Sequence, residues 1–453
     1  MPRKVFSLDC GTTNWRIAVC NYREAPGTEA VYELRGEPQP LSLSIFDSQN
    51  HSMAATLVLN KNEEIACYGQ NAYDYESESK ENLALCDHFK LSIGNFETKN
   101  VNDPRRRYTH QEALCFTRLL LTEVAEQLIK ERIDVLSDSL LIFCHPIHWG
   151  HETFNGQIRG SILEDFSKII YKLFPAAEKS QIHFIAEPEA ALLSLMQSGQ
   201  LDLSKNENIL IIDIGGGTTD FISGRWTSQG LENPQHYGGI HGGGLFDHDI
   251  AEFIAELFEI QNSLRESKWS EILKEARVLK EMLSQEVNRN KSNSVKISKN
   301  IFLDLGENGN SVLKKKKIML TPEVFETRTR ETCKSLESLI LKSLVEMNLK
   351  ATDVNQVVLV GGGARLYIVR QILAEIFDNS TPLVYSYPPE RAVANGATLW
   401  LSRPKFENSV SSYKDNSVLV DLFPKNLIRK VYKPLFQTVF QDPFEPFQDL
   451  GYS

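Results

Sequence analysis

What the chain lacks narrows it first. No apolar run approaches about 18 residues, the length a membrane-spanning helix needs, so no such helix is expected. Its seven cysteines (Cys10, Cys20, Cys67, Cys86, Cys115, Cys144, Cys333) are scattered, odd in number and form no C-x-x-C. That pattern argues against a disulfide framework or a zinc site and fits buried free thiols in a reducing compartment. Positive charge is in deficit: 49 Lys and Arg face 59 Asp and Glu, a formal net charge of −10. Neither nucleic acid nor an anionic membrane is therefore expected as the main partner. Arg3 and Lys4 precede only a short apolar strand broken by Asp9, so no signal peptide is expected, and the chain reads as cytoplasmic. Two phosphate-binding signatures, G-x-G-x-x-G and G-x-x-x-x-G-K-[ST], are missing as well. The 453 residues, 42% hydrophobic and 24% charged, are otherwise ordinary for a globular protein of two or three domains.

What is present centres on Ile209-Leu-Ile-Ile-Asp-Ile-Gly-Gly-Gly-Thr-Thr-Asp-Phe-Ile-Ser. A short apolar run ending in turn residues reads as a strand buried on both faces. Gly215, Gly216 and Gly217 permit close backbone approach to a ligand, and successive N–H groups in such a turn make an anion-binding concavity. Thr218 and Thr219 add hydroxyls. The carboxylates of Asp213 and Asp220 make sense beside an anion only with a cation between, so the segment predicts a clamp for phosphate plus Mg²⁺. A weaker copy, Val5-Phe-Ser-Leu-Asp-Cys-Gly-Thr-Thr-Asn-Trp-Arg-Ile-Ala-Val, stands at the N-terminus. Asp213 follows Asp9 by 204 positions, and Glu390 in Pro389-Glu-Arg-Ala-Val-Ala follows Glu187 in Ala186-Glu-Pro-Glu-Ala-Ala by 203. Two features repeating at one offset predict two similar lobes facing each other across a cleft.

Between these landmarks, residues from about 24 to 50 are polar and read as loops, followed by a strand-like Ala55-Thr-Leu-Val-Leu. Lys90 sits inside the apolar stretch Ala84–Gly94, where the bland reading is a solvated helix residue. Thr109-His-Gln-Glu112 is a capping box, and Leu114, Leu120, Leu121, Val124, Leu128 and Ile129 form a core-facing stripe behind it. His145, His148 and His151 read as loop histidines, since no carboxylate or Cys completes a ligand set. Ala190 and Ala191, with Ala394 and Gly396, would let two helices approach closely, as a hinge between lobes requires. Gly242 and Gly243 precede a helix and offer an anion contact at its N-terminus. Arg277, Lys280 and Ser284 share a helix face that could flank a base and ribose, or simply be solvated. Lys314–Lys317 reads as a solvated hairpin edge, and Thr321-Pro-Glu starts a helix running towards Leu349. Val357-Val-Leu-Val-Gly-Gly-Gly-Ala-Arg is another strand, glycine turn and helix start, and the tail beyond Arg403 is rich in Phe and Pro.

Seven segments in this order resemble the ATPase domain of the 70-kilodalton heat-shock (DnaK-type) chaperones. They are Leu8-Asp-Cys-Gly-Thr-Thr-Asn, Phe89-Lys-Leu-Ser-Ile-Gly, Ala186-Glu-Pro-Glu-Ala-Ala, Asp213-Ile-Gly-Gly-Gly-Thr-Thr-Asp, His241-Gly-Gly-Gly-Leu-Phe-Asp, Val360-Gly-Gly-Gly-Ala-Arg and Pro389-Glu-Arg-Ala-Val-Ala-Asn-Gly-Ala. The resemblance covers roughly residues 1–402 and implies an α/β, two-lobed actin-like ATPase. Its lobes would be duplicated and ribonuclease-H-like, each a mixed sheet flanked by helices, with the nucleotide cleft between them. Lobe I is expected over 1–200 with an insert at about 41–107, and lobe II over 201–385 with an insert at about 245–330. A return helix at 386–402 and a linker-like tail at 403–453 follow, with no full peptide-binding domain expected. By the same resemblance, Gly11, Thr12, Thr13 and Asn14 hold the phosphates of ATP or ADP on one side, and Gly215, Gly216, Gly217 and Thr218 on the other. Asp9, Glu187 and Asp213 orient Mg²⁺ and its waters, and Lys90 places the attacking water, which reverses the bland reading of that residue. Arg277, Lys280, Ser284, Gly362, Gly363 and Arg365 surround the adenosine, and Gly242, Gly243, Gly361 and Glu390 also belong to the cofactor site. The chain departs from the family at Arg277, commonly Glu, and at Trp15, commonly small. His183 stands where the family usually has Arg for J-domain contact, which leaves that partner open.

The function implied is a slow, Mg²⁺-dependent ATPase and chaperone-like switch that changes affinity for a protein client or regulatory partner. The alternative is a nucleotide-gated scaffold or an actin-like, self-assembling protein, because one core serves several functions. A small-molecule kinase would need a general-base carboxylate outside the Mg²⁺ set, and the sequence offers no candidate.

Overall fold

The computed structural model describes residues 3–402 except 25–31, 63, 73–74, 76–82, 95–106, 151–152, 155–156, 159–161, 200–206, 228–229, 261, 307–311, 378–380 and 386–387. The Phe- and Pro-rich tail at 403–453, expected to be linker-like, and His151 lie outside these residues.

Two central sheets carry the same pattern. In the first, β1 (Arg3–Cys10), β2 (Asn14–Glu24) and β3 (Tyr32–Pro40) form an antiparallel meander, and β4 (Ser139–His145) and β5 (Ile182–Ala186) extend it in parallel beside β1. In the second, β6 (Glu207–Ile214), β7 (Thr219–Thr227) and β8 (Gly230–Gly239) form the meander, and β9 (Gln356–Val360) and β10 (Leu383–Tyr385) the parallel extension. The equal offsets in sequence are thus a duplication in space. β6 is central, and its Leu210, Ile211 and Ile212 are fully buried, the continuous apolar run of a strand covered on both faces.

Helices supply that cover. On the first sheet they are α1 (His110–Lys130), α2 (Ile162–Leu173) and α3 (Glu187–Gln197). On the second they are α4 (Gly243–Phe258), α5 (Asn262–Asn290), α6 (Arg330–Glu346) and α7 (Tyr367–Ile376), and α8 (Ala392–Ala397) returns to the first. The capping box of α1 forms: Glu112 N–H donates to Thr109 Oγ1 at 3.2 Å, and Thr109 N–H donates to Glu112 Oε2 at 2.8 Å. Each lobe has its own hydrophobic core. A third core lies between them, where Val5, Leu140 and Ile142 of one sheet and Ile209, Ile211 and Val358 of the other enclose Ala190 and Ala191 of α3 and Ala397 of α8.

Three expectations need correction. The polar stretch expected as loop contains β3, an edge strand whose Glu33, Glu37 and Gln39 face outward and whose Pro38 and Pro40 are tolerated because an edge leaves some N–H groups unused. Ile129 leaves the α1 stripe and is 53% exposed, one residue before the helix ends. The helix from Thr321 stops after Pro322–Arg328; Thr329 Oγ1 bonds back to Phe325 O at 2.9 Å, and α6 starts at Arg330.

Candidate functional site: the cleft between the glycine turns

The two glycine turns meet. Gly11-Thr12-Thr13 joins β1 to β2, and Gly215-Gly216-Gly217-Thr218 joins β6 to β7, closed by Gly215 N–H donating to Thr218 O at 2.9 Å. A Cβ on Gly216 would overlap Thr13 Oγ1, and one on Gly217 would come within 2.7 Å of Thr12 Oγ1. The hairpins therefore face each other across the lobes, and glycine is needed where they touch. The third turn starts at Gly361 with φ +79°, where a Cβ would overlap Asp213 Oδ1 and the Ile214 carbonyl.

Carboxylates line the contact. Asp9 ends β1, Asp213 ends β6, Asp220 sits opposite Asp213 on β7, and Glu187 opens α3; all four are buried. Lys90, on the short 3-10 turn Phe89–Ser92, is 6% exposed and places Nζ 2.5 Å from Glu187 Oε1 and 5.6 Å from the centre of the buried Trp149 ring. Burial opposes the charge on Lys90, but Glu187 and Asp9 outweigh it and hold the ammonium above its ordinary range. Burial pushes Glu187 up to about 7 against the pull of Lys90. Asp213 rises well above the usual carboxylate range through burial and the nearby charges of Glu187, Asp220 and Asp9. Asp9 rises through burial, moderated by Lys90 and Arg16.

These shifts give the protein without ligand a pH-dependent stability. Below about 4.5, the ordinary value, Glu187 is protonated folded or unfolded; as pH climbs to about 7 the unfolded chain ionises first, so stability falls. The shift of Glu187 alone corresponds to roughly 3 kcal/mol. Urea unfolding at pH 5.5 and at pH 7.5 checks this: a higher midpoint at pH 5.5 is expected, and a lower one contradicts it.

The other predicted residues fall into two groups. Lys280 and Ser284 on α5 are buried, not solvated, and Lys280 is spent on the protein itself: Nζ lies 2.6 Å from Asp247 Oδ1 and 3.1 Å from Gly243 O. Arg277 Nε is 3.4 Å from Asp247 Oδ2. Lys280, and Arg277 more weakly, outweigh the burial of Asp247 and keep its pKa low. The hydroxyl of Ser284 is buried without a hydrogen-bond partner among the described residues. At the start of α4, the Gly243 and Gly244 N–H groups donate to Gly215 O at 3.0 Å and Gly216 O at 2.8 Å, so they brace the Gly215–Gly217 turn. A Cβ on Gly242 would lie 2.7 Å from Gly217 N, which ties that glycine to the same turn. Arg365, closing the Gly362–Arg365 turn, pairs with Glu390 at 2.6 Å, and its carbonyl accepts from Asn288 Nδ2 on α5 at 2.8 Å. The α5 face and the third glycine turn thus adjoin.

Sequence reasoning assigned no role to Asp247, Trp149 or Arg16. Asp247 lies on the second turn of α4, at the end of the His241–Asp247 segment, where it meets Lys280, and Trp149 follows the strand-ending His145-Pro146. His145 is buried with Nδ1 2.8 Å from Pro146 O, and the His183 ring stacks on Trp400 with centroids 4.9 Å apart. Among the described residues no helix is long and apolar enough to cross a membrane.

Comparison with known proteins follows this geometry. The family model described as "Hsp70 protein" matches residues 181–411. The chain is 28% identical over 261 residues to the "Chaperone protein DnaK" of Thermosipho africanus, covering 57% of this chain and 41% of that protein. It is 26% identical over 407 residues to the "Chaperone protein HscA homolog" of Vibrio vulnificus, covering 87% of this chain and 57% of the relative. It is 30% identical over 221 residues to the "Chaperone protein DnaK" of Metamycoplasma hominis, covering 48% of this chain and 35% of the relative. The chain therefore spans between about two fifths and three fifths of the length of the first two relatives.

Proposed function

The chain belongs to the Hsp70 family, with its actin-like ATPase fold, and on that footing we propose that it binds ATP with Mg²⁺ in the cleft between the two glycine turns and hydrolyses it. The observation that carries this reading is the convergence of Asp9 and Asp213 from opposite lobes beside the Lys90–Glu187 pair. We also propose the division into lobe I at 1–200, lobe II at 201–385 and a return helix at 386–402, and a nucleotide-dependent change of affinity for a protein client or regulatory partner.

The donor set suits Mg²⁺. Four buried carboxylates share one ammonium, and buried charges of one sign need a cation or protons. Among the described residues no group of three or more His, Cys, Asp or Glu side chains is placed to ligate a metal directly. That matches an ion that keeps most of its waters and takes the rest of its shell from phosphates. Bound Mg²⁺ would neutralise charge on the phosphate chain. Asp9, Asp213 and Glu187 would accept hydrogen bonds from the ion's waters. Amides of Gly11–Asn14 and Gly215–Thr218 would donate to phosphate oxygens from the two sides. Lys90 would fix the attacking water between its Nζ and the γ-phosphate while Glu187 holds the lysine, and Thr218 would border the same position. Catalysis of this kind is positioning plus electrostatic stabilisation, with no covalent intermediate. Arg277, Lys280, Ser284, Gly361–Gly363, Arg365 and Glu390 would enclose the adenosine.

A second reading, self-assembly, draws on one observation: Leu341 and Val345, one turn apart on α6, are 45% and 76% exposed. Light scattering with Mg²⁺·ATP separates the two. A switch stays small at every concentration, whereas scattering that grows with protein concentration in ATP favours the filament.

A further inference from the structure

Arg16 stands directly opposite Asp9 in the β1–β2 ladder, two residues past Asn14. Residues paired in this way leave the same face of the sheet, so Arg16 shares the face from which Asp9 reaches the cleft. The side chain is half-buried, and its Nε, itself shut off from solvent, has no hydrogen-bond partner among the described residues. Around it stand two carboxylates, Asp9 and Glu390, and two further guanidiniums, Arg391 and Arg365. Neither carboxylate belongs to it alone: Glu390 is held by Arg365 at 2.6 Å, and Asp9 is drawn more strongly to Lys90 than to Arg16.

A half-buried cation with a buried, unspent donor costs free energy, and an apolar side chain of similar length would fill the same space without that cost. Such a group is accounted for when a ligand completes it. Guanidinium is a planar, donor-only fork that matches phosphate oxygens, and the backbone turn two residues before it is the one read above as a phosphate cradle. We propose that Arg16 is a phosphate contact of the nucleotide site, donating to the phosphate chain from the β2 side of the Gly11–Asn14 turn. This rests on the nucleotide reading of the cleft. It makes affinity depend on the ligand's phosphates, and it assigns the charge to a strand position rather than to a loop lysine.

The test is calorimetric titration of the whole chain with adenosine, ADP, ATP and pyrophosphate, for the wild type, Arg16→Met and Arg16→Lys, with thermal unfolding of each protein without ligand. Arg16→Met is expected to weaken ADP, ATP and pyrophosphate by about tenfold to a hundredfold, the scale of a charged hydrogen bond, and to leave adenosine unchanged. Arg16→Lys, keeping the charge but not the fork, is expected to fall between. Without ligand, Arg16→Met is expected to melt at or above the wild-type temperature, a readout that a structural role would move the other way. Unchanged phosphate affinities in Arg16→Met, adenosine weakened as much as ADP, or a lower melting temperature with a normal ADP affinity would each overturn the proposal. Should Arg16→Met not fold, Arg16→Lys decides it: ADP and pyrophosphate bound as by the wild type overturns the assignment. A wild type that binds none of the three phosphate ligands sinks the nucleotide reading itself, an outcome distinct from all of these.

Discussion

Replacing Lys90 with alanine is expected to lower ATP hydrolysis by about 10²-fold or more, the scale of losing one preorganised electrostatic group, while nucleotide binding is roughly preserved. Binding survives because the contacts proposed for phosphates and adenosine come from the glycine turns and α5, not from the 3-10 turn that carries Lys90. Hydrolysis fails because Lys90 Nζ, held 2.5 Å from Glu187 Oε1, is the ammonium that faces Glu187 and Asp9. The variant also leaves Glu187 and Asp9 without their principal counter-charge, and Glu187 responds by taking up a proton at higher pH than its value of about 7. Single-turnover hydrolysis measured beside ADP titration separates the two effects. Equal hydrolysis rates for wild type and variant would remove Lys90 from the mechanism.

Gly396→Ala is expected to destabilise the fold by about 2–4 kcal/mol, at the severe end for adding one methyl group to a packed interior. An added Cβ there overlaps the Ala190 carbonyl oxygen and lies 3.0 Å from Ser194 N, both backbone atoms of α3 that no rotamer change can move. α8 cannot retreat either: Ala394 O accepts from Ser7 Oγ on β1 at 2.6 Å, and Thr398 O accepts from Tyr22 OH on β2 at 2.8 Å. Because α3 and α8 are enclosed by the core shared between the two sheets, the strain falls on the junction of the lobes. Urea unfolding of the two proteins checks this, and a loss below about 0.5 kcal/mol would mean that the helices part easily.

Features set by neighbours in sequence were legible before any coordinates. The Gly11–Asn14 and Gly215–Thr218 turns, the Thr109–Glu112 capping box and the small residues Ala190, Ala191 and Gly396 each declare themselves within a few positions. Lys90 was legible only through resemblance, since a lysine in an apolar stretch does not announce a buried partner 97 positions away. Features decided by a distant element were not legible. Spacing alone left Lys280 and Arg277 open between a ligand-flanking face and a solvated one, because Asp247, the group that engages them, lies on a different helix. Ile129 fits the α1 stripe by spacing, but Ser44 meets that end of the helix through Gln127 and Glu131 and leaves Ile129 exposed. Arg16 carried no signal of its own, because its place opposite Asp9 is set by the β1–β2 register.

Hydrogen exchange followed by mass spectrometry, with and without Mg²⁺·ADP, tests the central claim most directly. The account predicts that amides in 11–14 and in 215–219 slow together on adding the ligand, because one phosphate chain is gripped from both lobes. Protection confined to one hairpin, or absent from both while ADP is bound, would contradict it.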